Sequence, residues 1–416
     1  MQHRRSLAVA MVPLCVGLAL AAGPTYAGGS AQKSTSFAFK SSGFGTRVIG
    51  GQVPAGSSTT AYQVIGCTNK AGKDRTNNLA EATVPGLGTA TGVKTHVWTT
   101  SHHGVVASHS THSIAELVLA QSQLGSLSID AITSRSRAFH DSTGFHATAT
   151  TTLGGLTFTP PVGDPQTFPA PTPDQPLTIP GLATIYAGQH LTRHSGTGAM
   201  ADAYALRVDV LPTGTSVRVA HSHAELDAGL TGGIFSGRSA ATHVVTAVGD
   251  VAKSGPNPLT VMPCQGTNGK THEKSLASVD LGGQLIVTGA SSRERGSQGL
   301  DRAHGVSRAE IARVDLGGQL VIDGIVGRAA VKRVDGHVHK SAKGTFLGTV
   351  TVAGQKQTFP KTGVLEIPGI AKLERAVVTR THRGISVIGL RVTLLDGTGA
   401  VINLAEASLK IRSLSH

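Results

Sequence analysis

The run Gln166-Thr167-Phe168-Pro169, followed by Leu177-Thr178-Ile179-Pro180-Gly181-Leu182-Ala183, returns later in the chain. Its second copy is Gln357-Thr358-Phe359-Pro360, followed by Leu365-Glu366-Ile367-Pro368-Gly369-Ile370-Ala371. The copies lie about half a chain apart, and other matches keep the same order around them. One module therefore occurs twice, and any fold assigned to one half must serve the other.

The module reads as strands. Ala205 to Leu211 alternates apolar and polar residues, turns at Pro212-Thr213-Gly214-Thr215, and returns from Val217 to Leu226. Leu206, Val208 and Val210 fall on one strand face, with Arg207 and Asp209 on the other. The second copy runs from Leu390 to Leu395, turns at Asp396-Gly397-Thr398-Gly399, and returns from Val401 to Ala407. Val279-Asp280-Leu281-Gly282-Gly283-Gln284-Leu285 is repeated as Val314-Asp315-Leu316-Gly317-Gly318-Gln319-Leu320, which is strand, tight turn, strand. Seven prolines between Pro160 and Pro176 make that stretch an extended surface loop. A helix over Thr111 to Gln121 is the minority reading. The expected fold is all-β, with two homologous tandem antiparallel lobes, each a sandwich or a partly closed barrel.

A basic start at His3, Arg4 and Arg5, an apolar run from Leu7 to Ala22 and a small-residue site at Thr25-Tyr26-Ala27 make a secretory signal peptide. Residues 28–41 are rich in Gly, Ser, Gln and Lys and read as a flexible arm. The expected boundaries are thus 1–27 for the leader, 28–41 for the arm, 42–230 for the first lobe and 231–416 for the second. No later stretch is apolar and uncharged for long enough to span a bilayer, and no C-terminal sorting motif is found. The expectation is export, followed by release or non-covalent attachment to the cell wall.

The start Phe44-Gly45-Thr46-Arg47-Val48, the Cys67-Thr68 pair with Gly72 after it, and the late Leu-Arg-Val hairpin with its Gly-Thr turn resemble the choice-of-anchor P family of actinobacterial secreted proteins. The resemblance implies display at the cell surface through varied C-terminal anchors. It brings no defined activity with it.

Charge and cysteines narrow the chemistry. Lys and Arg number 37 against 24 Asp and Glu, a formal charge of +13. Such a surplus attracts polyanions, and acidic wall polymers are the expected partners. The cations are scattered and aromatic residues make up only 4% of the chain, so nucleic acid is not expected. After the leader, which holds Cys15, two cysteines remain. Cys67 and Cys264 occupy matching places in the two copies. Either they form one disulfide between the lobes, or each is a buried thiol.

Catalytic motifs are missing. Arg47-Val48-Ile49-Gly50-Gly51 looks like a protease activation site, but no Gly-Asp-Ser-Gly-Gly run accompanies it. His221 and His223, and likewise His337 and His339, are two apart on strands, a spacing that suits a metal if a third ligand converges. His102, His103, His109 and His112 cluster in one region. Asp202, Asp209, Glu225 and Asp227 are candidate acids for glycoside cleavage. No cofactor is implied. A non-enzymatic envelope or extracellular protein is the leading expectation, and a glycan hydrolase or metal-binding protein the alternative.

Overall fold

The computed structural model describes residues 32–414, except 51–56, 58, 85–86, 123–124, 212–213, 247–254, 282–284 and 398. The leader at 1–27 and the first residues of the arm lie outside the described residues. The described residues are mostly strand, joined by turns and loops, with no α-helix among them.

The first lobe comprises β1 (Lys33–Gly50), β2 (Gln63–Ala71), β3 (Asp74–Val84), β4 (Gly88–His102), β5 (Val105–Ser122), β6 (Gly125–Asp141), β7 (Gly144–Thr152), β8 (Leu156–Thr159), β9 (Gln166–Phe168), β10 (Leu177–Ile179), β11 (Ala183–Ser195), β12 (Gly198–Val210) and β13 (Thr215–Asp227). The second comprises β14 (Ile234–Thr246), β15 (Asn257–Val261), β16 (Thr271–Asp280), β17 (Leu285–Gln298), β18 (Arg302–Leu316), β19 (Leu320–Val334), β20 (His337–Ser341), β21 (Phe346–Val352), β22 (Gln355–Gln357), β23 (Val364–Ile367), β24 (Ala371–Thr381), β25 (Gly384–Leu394) and β26 (Val401–Arg412).

Each lobe stacks a six-stranded sheet on a seven-stranded one. In the first lobe the orders are β10-β11-β12-β13-β1-β2 and β3-β4-β5-β6-β8-β9, with β7 also on β6. In the second they are β23-β24-β25-β26-β14-β15 and β16-β17-β18-β19-β21-β22, with β20 also on β19. Adding thirteen to each strand number of the first lobe reproduces the second, so the duplication holds at the level of topology. All four sheets are open, which makes each lobe a sandwich and excludes the barrel. The Gly-Gly repeat behaves as read: Gly317 and Gly318 have φ of 57° and 69°, and Gln319 N donates to the Leu316 carbonyl at 3.0 Å. Both central residues in the left-handed region make this the tight hairpin that only such residues allow.

Each sheet carries one crease. Left-handed residues recur at one level on alternate strands: Gly92 on β4 and Ala131 on β6, Gly188 on β11 and Ala220 on β13. The second lobe matches them with Gly289 on β17, Gly324 on β19, Ala376 on β24 and Ala405 on β26. On β12 and β13 the pairs Tyr204↔His221 and Leu206↔Val219 frame the crease, so register survives across it. Inward parity does not survive. On β13, Val217 and Val219 point inward before Ala220, and Ser222, Ala224 and Leu226 after it. Such a shared bulge adds one residue to every strand.

The crease explains why a helix was a competing reading in one stretch, and it accounts for one departure from the sequence reading. Thr111 to Gln121 lies in β5 and is strand. Its buried Ile114 and Leu117 are three apart, as on a helix, because the crease passes between them. Residues 33–41, expected in the arm, form the first half of β1, and Phe39 is fully buried. Measured from the crease, Phe39 of the first lobe matches Phe235 of the second, not Phe44. The small polar residues around Phe39 suit the layer they enter, where the sheets approach closely.

On one side of the crease the sandwich is filled by large aliphatics, such as Ile129, Leu117, Leu206 and Val208 in the first lobe, and Ile322, Leu390, Val392 and Leu404 in the second. On the other side hydroxyls bridge the sheets. Ser108 Oγ donates to the Lys40 carbonyl at 2.9 Å, and Ser110 Oγ to the Ser42 carbonyl at 2.8 Å. Ser307 Oγ donates to the Ser408 carbonyl at 3.0 Å. Bonds from side chain to facing backbone satisfy groups that burial would otherwise leave unpaired. Close approach limits side-chain size there. A Cβ added to Gly327 would sit 1.8 Å from the Ala405 carbonyl oxygen. Gly327→Ala is expected to lower stability by about 2 kcal/mol in urea unfolding, because the sheets must separate. A variant as stable as the parent would show that this approach is not tight.

Candidate ligand-binding face

Side chains on the outer face of the first lobe's seven-stranded sheet form a ladder. Asp74, Trp98, His109, Arg137 and Thr148 stand side by side on β3, β4, β5, β6 and β7. In the next row stand Thr76, His96, Thr111, Arg135 and Thr150, and beyond them Lys94, Ser113 and Thr133. Strand alternation puts all of these on one side, and the sheet's curvature makes the surface concave. The result is a cleft of about 570 Å³ whose lining holds Lys94, Arg135 and Arg137 and no carboxylate.

Aromatic stacking organises its centre. The single Trp98 stacks on His96 at 4.3 Å and on His109 at 4.6 Å, with interplanar angles of 18° and 0°. His96 Nε2 is held 2.9 Å from Asp74 Oδ2 at the sheet edge. Burial, with Arg137 and His96 nearby, pulls His109 down to about 4, so it is neutral at pH 7. Arg137 lies over the Phe139 ring at 4.1 Å, which orients its guanidinium. A rigid cluster of cations, hydroxyls and a neutral imidazole is suited to anionic groups.

The second lobe repeats the platform with other residues. Counted from the crease, Arg293, Arg308 and Arg328 stand where His96, Thr111 and Arg135 stand in the first. Arg293 pairs with Glu273 at 2.8 Å, and Glu310 is shared between Arg293 and Arg308. Arg295, Arg328 and Lys332 surround His304 and, after burial, help lower its pKa. Both platforms are basic, but in the second Glu273 and Glu310 neutralise Arg293 and Arg308, whereas among the described residues no carboxylate lines the first.

The metal candidates have other occupations. His221 Nε2 and His223 Nδ1 both face Asp202 Oδ2, at 3.1 and 3.0 Å, on the outer face of the six-stranded sheet. His223 Nε2 then approaches Glu225 Oε2 at 3.4 Å, and Lys40 Nζ donates to Glu225 at 2.9 Å. Burial lowers His221. Burial opposes the charge on His223 too, but the bonds to Asp202 and Glu225 outweigh it and raise its pKa. Both carboxylates are held below their usual range by these partners, against burial. His337 and His339 are exposed on the short β20. Among the described residues no three His, Cys, Asp or Glu side chains are grouped to hold a metal ion.

Of the candidate acids, Asp209 lies across the crease and pairs with Arg207 at 3.1 Å. Burial and the charge of Glu225 push Asp227 up to about 7. Asp202 and Glu225 spend their oxygens on imidazoles and Lys40 rather than facing each other across a substrate. His112, from the histidine-rich region, is buried inside the sandwich, where burial lowers its pKa to about 3. Thr95 Oγ1 donates to the Ala61 carbonyl, so it accepts from His112 Nδ1 at 2.7 Å. Cys67 and Cys264 are joined in a disulfide, with a Cα–Cα distance of 5.2 Å.

In the sequence His109 stands out only as one member of a histidine cluster, and nothing along the chain ties Trp98 to it. The two are cross-strand neighbours, which a strand pairing of β4 with β5 would have revealed. A scan against protein-family models finds no match, and a search of curated proteins finds none either.

Proposed function

We propose that this is a secreted, non-enzymatic protein of the cell envelope that holds acidic wall polymers on the basic outer face of its first lobe. The observation that carries the reading is the cleft at Trp98, where Lys94, Arg135 and Arg137 meet hydroxyls and no carboxylate. Attraction between such a face and a polyanion is long-ranged at low salt and screened at high salt. The leader read from residues 1–27 supplies the route out of the cell. The resemblance to the choice-of-anchor P family belongs with this reading.

The test is retention on isolated cell walls. The mature protein is expected to bind at about 50 mM salt and to elute by about 500 mM. Replacing Lys94, Arg135 and Arg137 together by Gln is expected to weaken retention about tenfold or more, since each exposed cation contributes a modest share. The melting temperature should not change, because these side chains lie outside the core. Equal retention of parent and variant would remove this face from the account. Salt-indifferent partition of the parent into the medium would remove wall attachment altogether.

A further inference from the structure

A second concentration of charge lies between the lobes. A cleft of about 500 Å³ is lined by Lys70, His337, His382, Arg383 and Arg412, with Asn69. Lys70 comes from β2 in the first lobe. Arg383 sits in the β24–β25 turn and Arg412 ends β26, both in the second lobe. The cleft therefore exists only because the lobes pack together. The disulfide lies close by: Cys67 precedes this stretch of β2, and Ile234, which lines the cleft, packs with Cys67 and Cys264.

Lys73 and Arg75, in and just after the β2–β3 turn, add to the same field. Burial, then Arg412, Arg75 and Lys70, pull the Lys73 ammonium below its ordinary value. Burial, then Arg383 and Arg75, do the same to Arg412. Five cations thus repel one another across a lobe boundary, and among the described residues no carboxylate lines the cleft. Lys70 Nζ donates to Ser34 Oγ at 2.5 Å, and Arg75 Nη1 to the Val64 carbonyl at 2.9 Å. The matching position in the other copy is instructive. Asp227 stands where Arg412 stands, beside Glu225 and Gln265. One end of the lobe boundary is acidic and the other basic.

We infer that the inter-lobe cleft at Lys70, Arg383 and Arg412 is a binding site for phosphoryl groups, either of a small phosphate or of a phosphate-bearing polymer. Crowded cations without carboxylates match a ligand that carries its charges equally close together. The guanidiniums offer forked donors to phosphoryl oxygens, and among the described residues no Phe, Tyr or Trp lines the cleft to stack a base or a sugar ring. The site is separate from the face at Trp98, and it stands whether or not that face holds wall polymers.

The test uses the mature protein with its disulfide intact, titrated calorimetrically with inorganic pyrophosphate and with long-chain polyphosphate. Binding of both at about 50 mM salt is expected, with affinity falling as salt rises in proportion to the phosphates neutralised. Pyrophosphate binding as tight as polyphosphate binding would identify a small-anion site. Much tighter polyphosphate binding would identify a polymer site. Arg383→Gln with Arg412→Gln should weaken either at least tenfold, whereas Lys356→Gln with Lys361→Gln, exposed and in neither site, should leave it unchanged. Should the Arg412 substitution disturb folding, Lys73→Gln in the β2–β3 turn should still weaken binding about threefold. No binding by the parent, or equal weakening by the two double variants, would overturn the assignment. Wall retention measured on these variants and on the Lys94, Arg135 and Arg137 variant keeps the outcomes apart. Loss with only that triple variant speaks to the Trp98 face and leaves the cleft to the phosphate titration.

Discussion

Breaking the Cys67–Cys264 bond is expected to lower the stability of the protein by about 5 kcal/mol, the largest effect foreseen for any single bond in it. The bond spans a sequence separation of 197 residues, and the unfolded chain loses more freedom the longer the loop it must close. Both sulfurs are buried, and their neighbours Ala38 and Ile234 occupy equivalent places in the two lobes. Equivalent surfaces thus meet each other, as in a symmetric dimer made within one chain. Urea unfolding of the parent and of the Cys67→Ser, Cys264→Ser protein measures the difference. A change below about 1 kcal/mol would mean that the unfolded chain is already compact enough to keep the two sites near each other. Each lobe has its own core, so the variant should keep its strand signal in circular dichroism even as the transition moves.

Stability should also fall as pH rises from about 4.5 to about 8, through one carboxyl group. Glu294 is fully buried in the second lobe, where burial pushes its pKa up to about 8 against the bond from Ser307 Oγ. The folded protein keeps this proton over a window in which the unfolded chain has released it. Folding therefore binds a proton there, and each pH unit of rise removes stability until the folded group also ionises. Three to four units correspond to roughly 4 kcal/mol. Glu294→Gln keeps a donor for Ser307 Oγ, whose own hydrogen goes to the Ser408 carbonyl, and has no proton to lose. The variant should match the parent near pH 4.5 and exceed it increasingly up to pH 8. Parallel stability profiles for the two proteins would show that Glu294 is hydrated or paired in a way that abolishes its shift. Because Asp202, Asp227 and Glu225 titrate in both proteins, the difference between the profiles isolates Glu294.

How much was legible in the sequence depended on the range of the signal. The terminal hairpins were readable because Leu206, Val208 and Val210 alternate without interruption, and Gly317-Gly318 admits few backbones. The repeat was readable because it needs only comparison of the chain with itself. The crease was hidden. Ile114 and Leu117 mimic a helical spacing, and an Ala at positive φ, such as Ala131 or Ala220, leaves no mark in composition. The start of the first lobe was misplaced for a related reason. Serines and glycines near Phe39 resemble a linker, and only the hydroxyl-bridged layer shows why a strand would use them.

The candidate site was less visible still. His221 and His223 do share a face, but Asp202, which engages both, sits on a neighbouring strand. Trp98 and His109 are neighbours only once β4 and β5 are paired. Lys70 and Arg412 are separated by most of the chain and meet only through lobe packing. Spacing along one strand can be counted from a sequence, whereas proximity across strands and lobes follows from register and docking.

The crease has a bearing on how the protein reaches its final form. A flat strand can slide by two residues past its neighbour and keep its apolar face inward. Here such a slip would also pull Gly92, Gly188, Gly289 or Gly324 away from its level, forcing a residue with a side chain into a backbone that glycine adopts at no steric cost. The penalty arises on each strand that carries such a glycine, and each lobe has two. The line of odd residues thus acts as an alignment mark, telling near-identical, Gly-, Ser- and Ala-rich strands where to stop. In a chain whose halves have similar strands to offer each other, such a mark discourages a strand from settling in the wrong register.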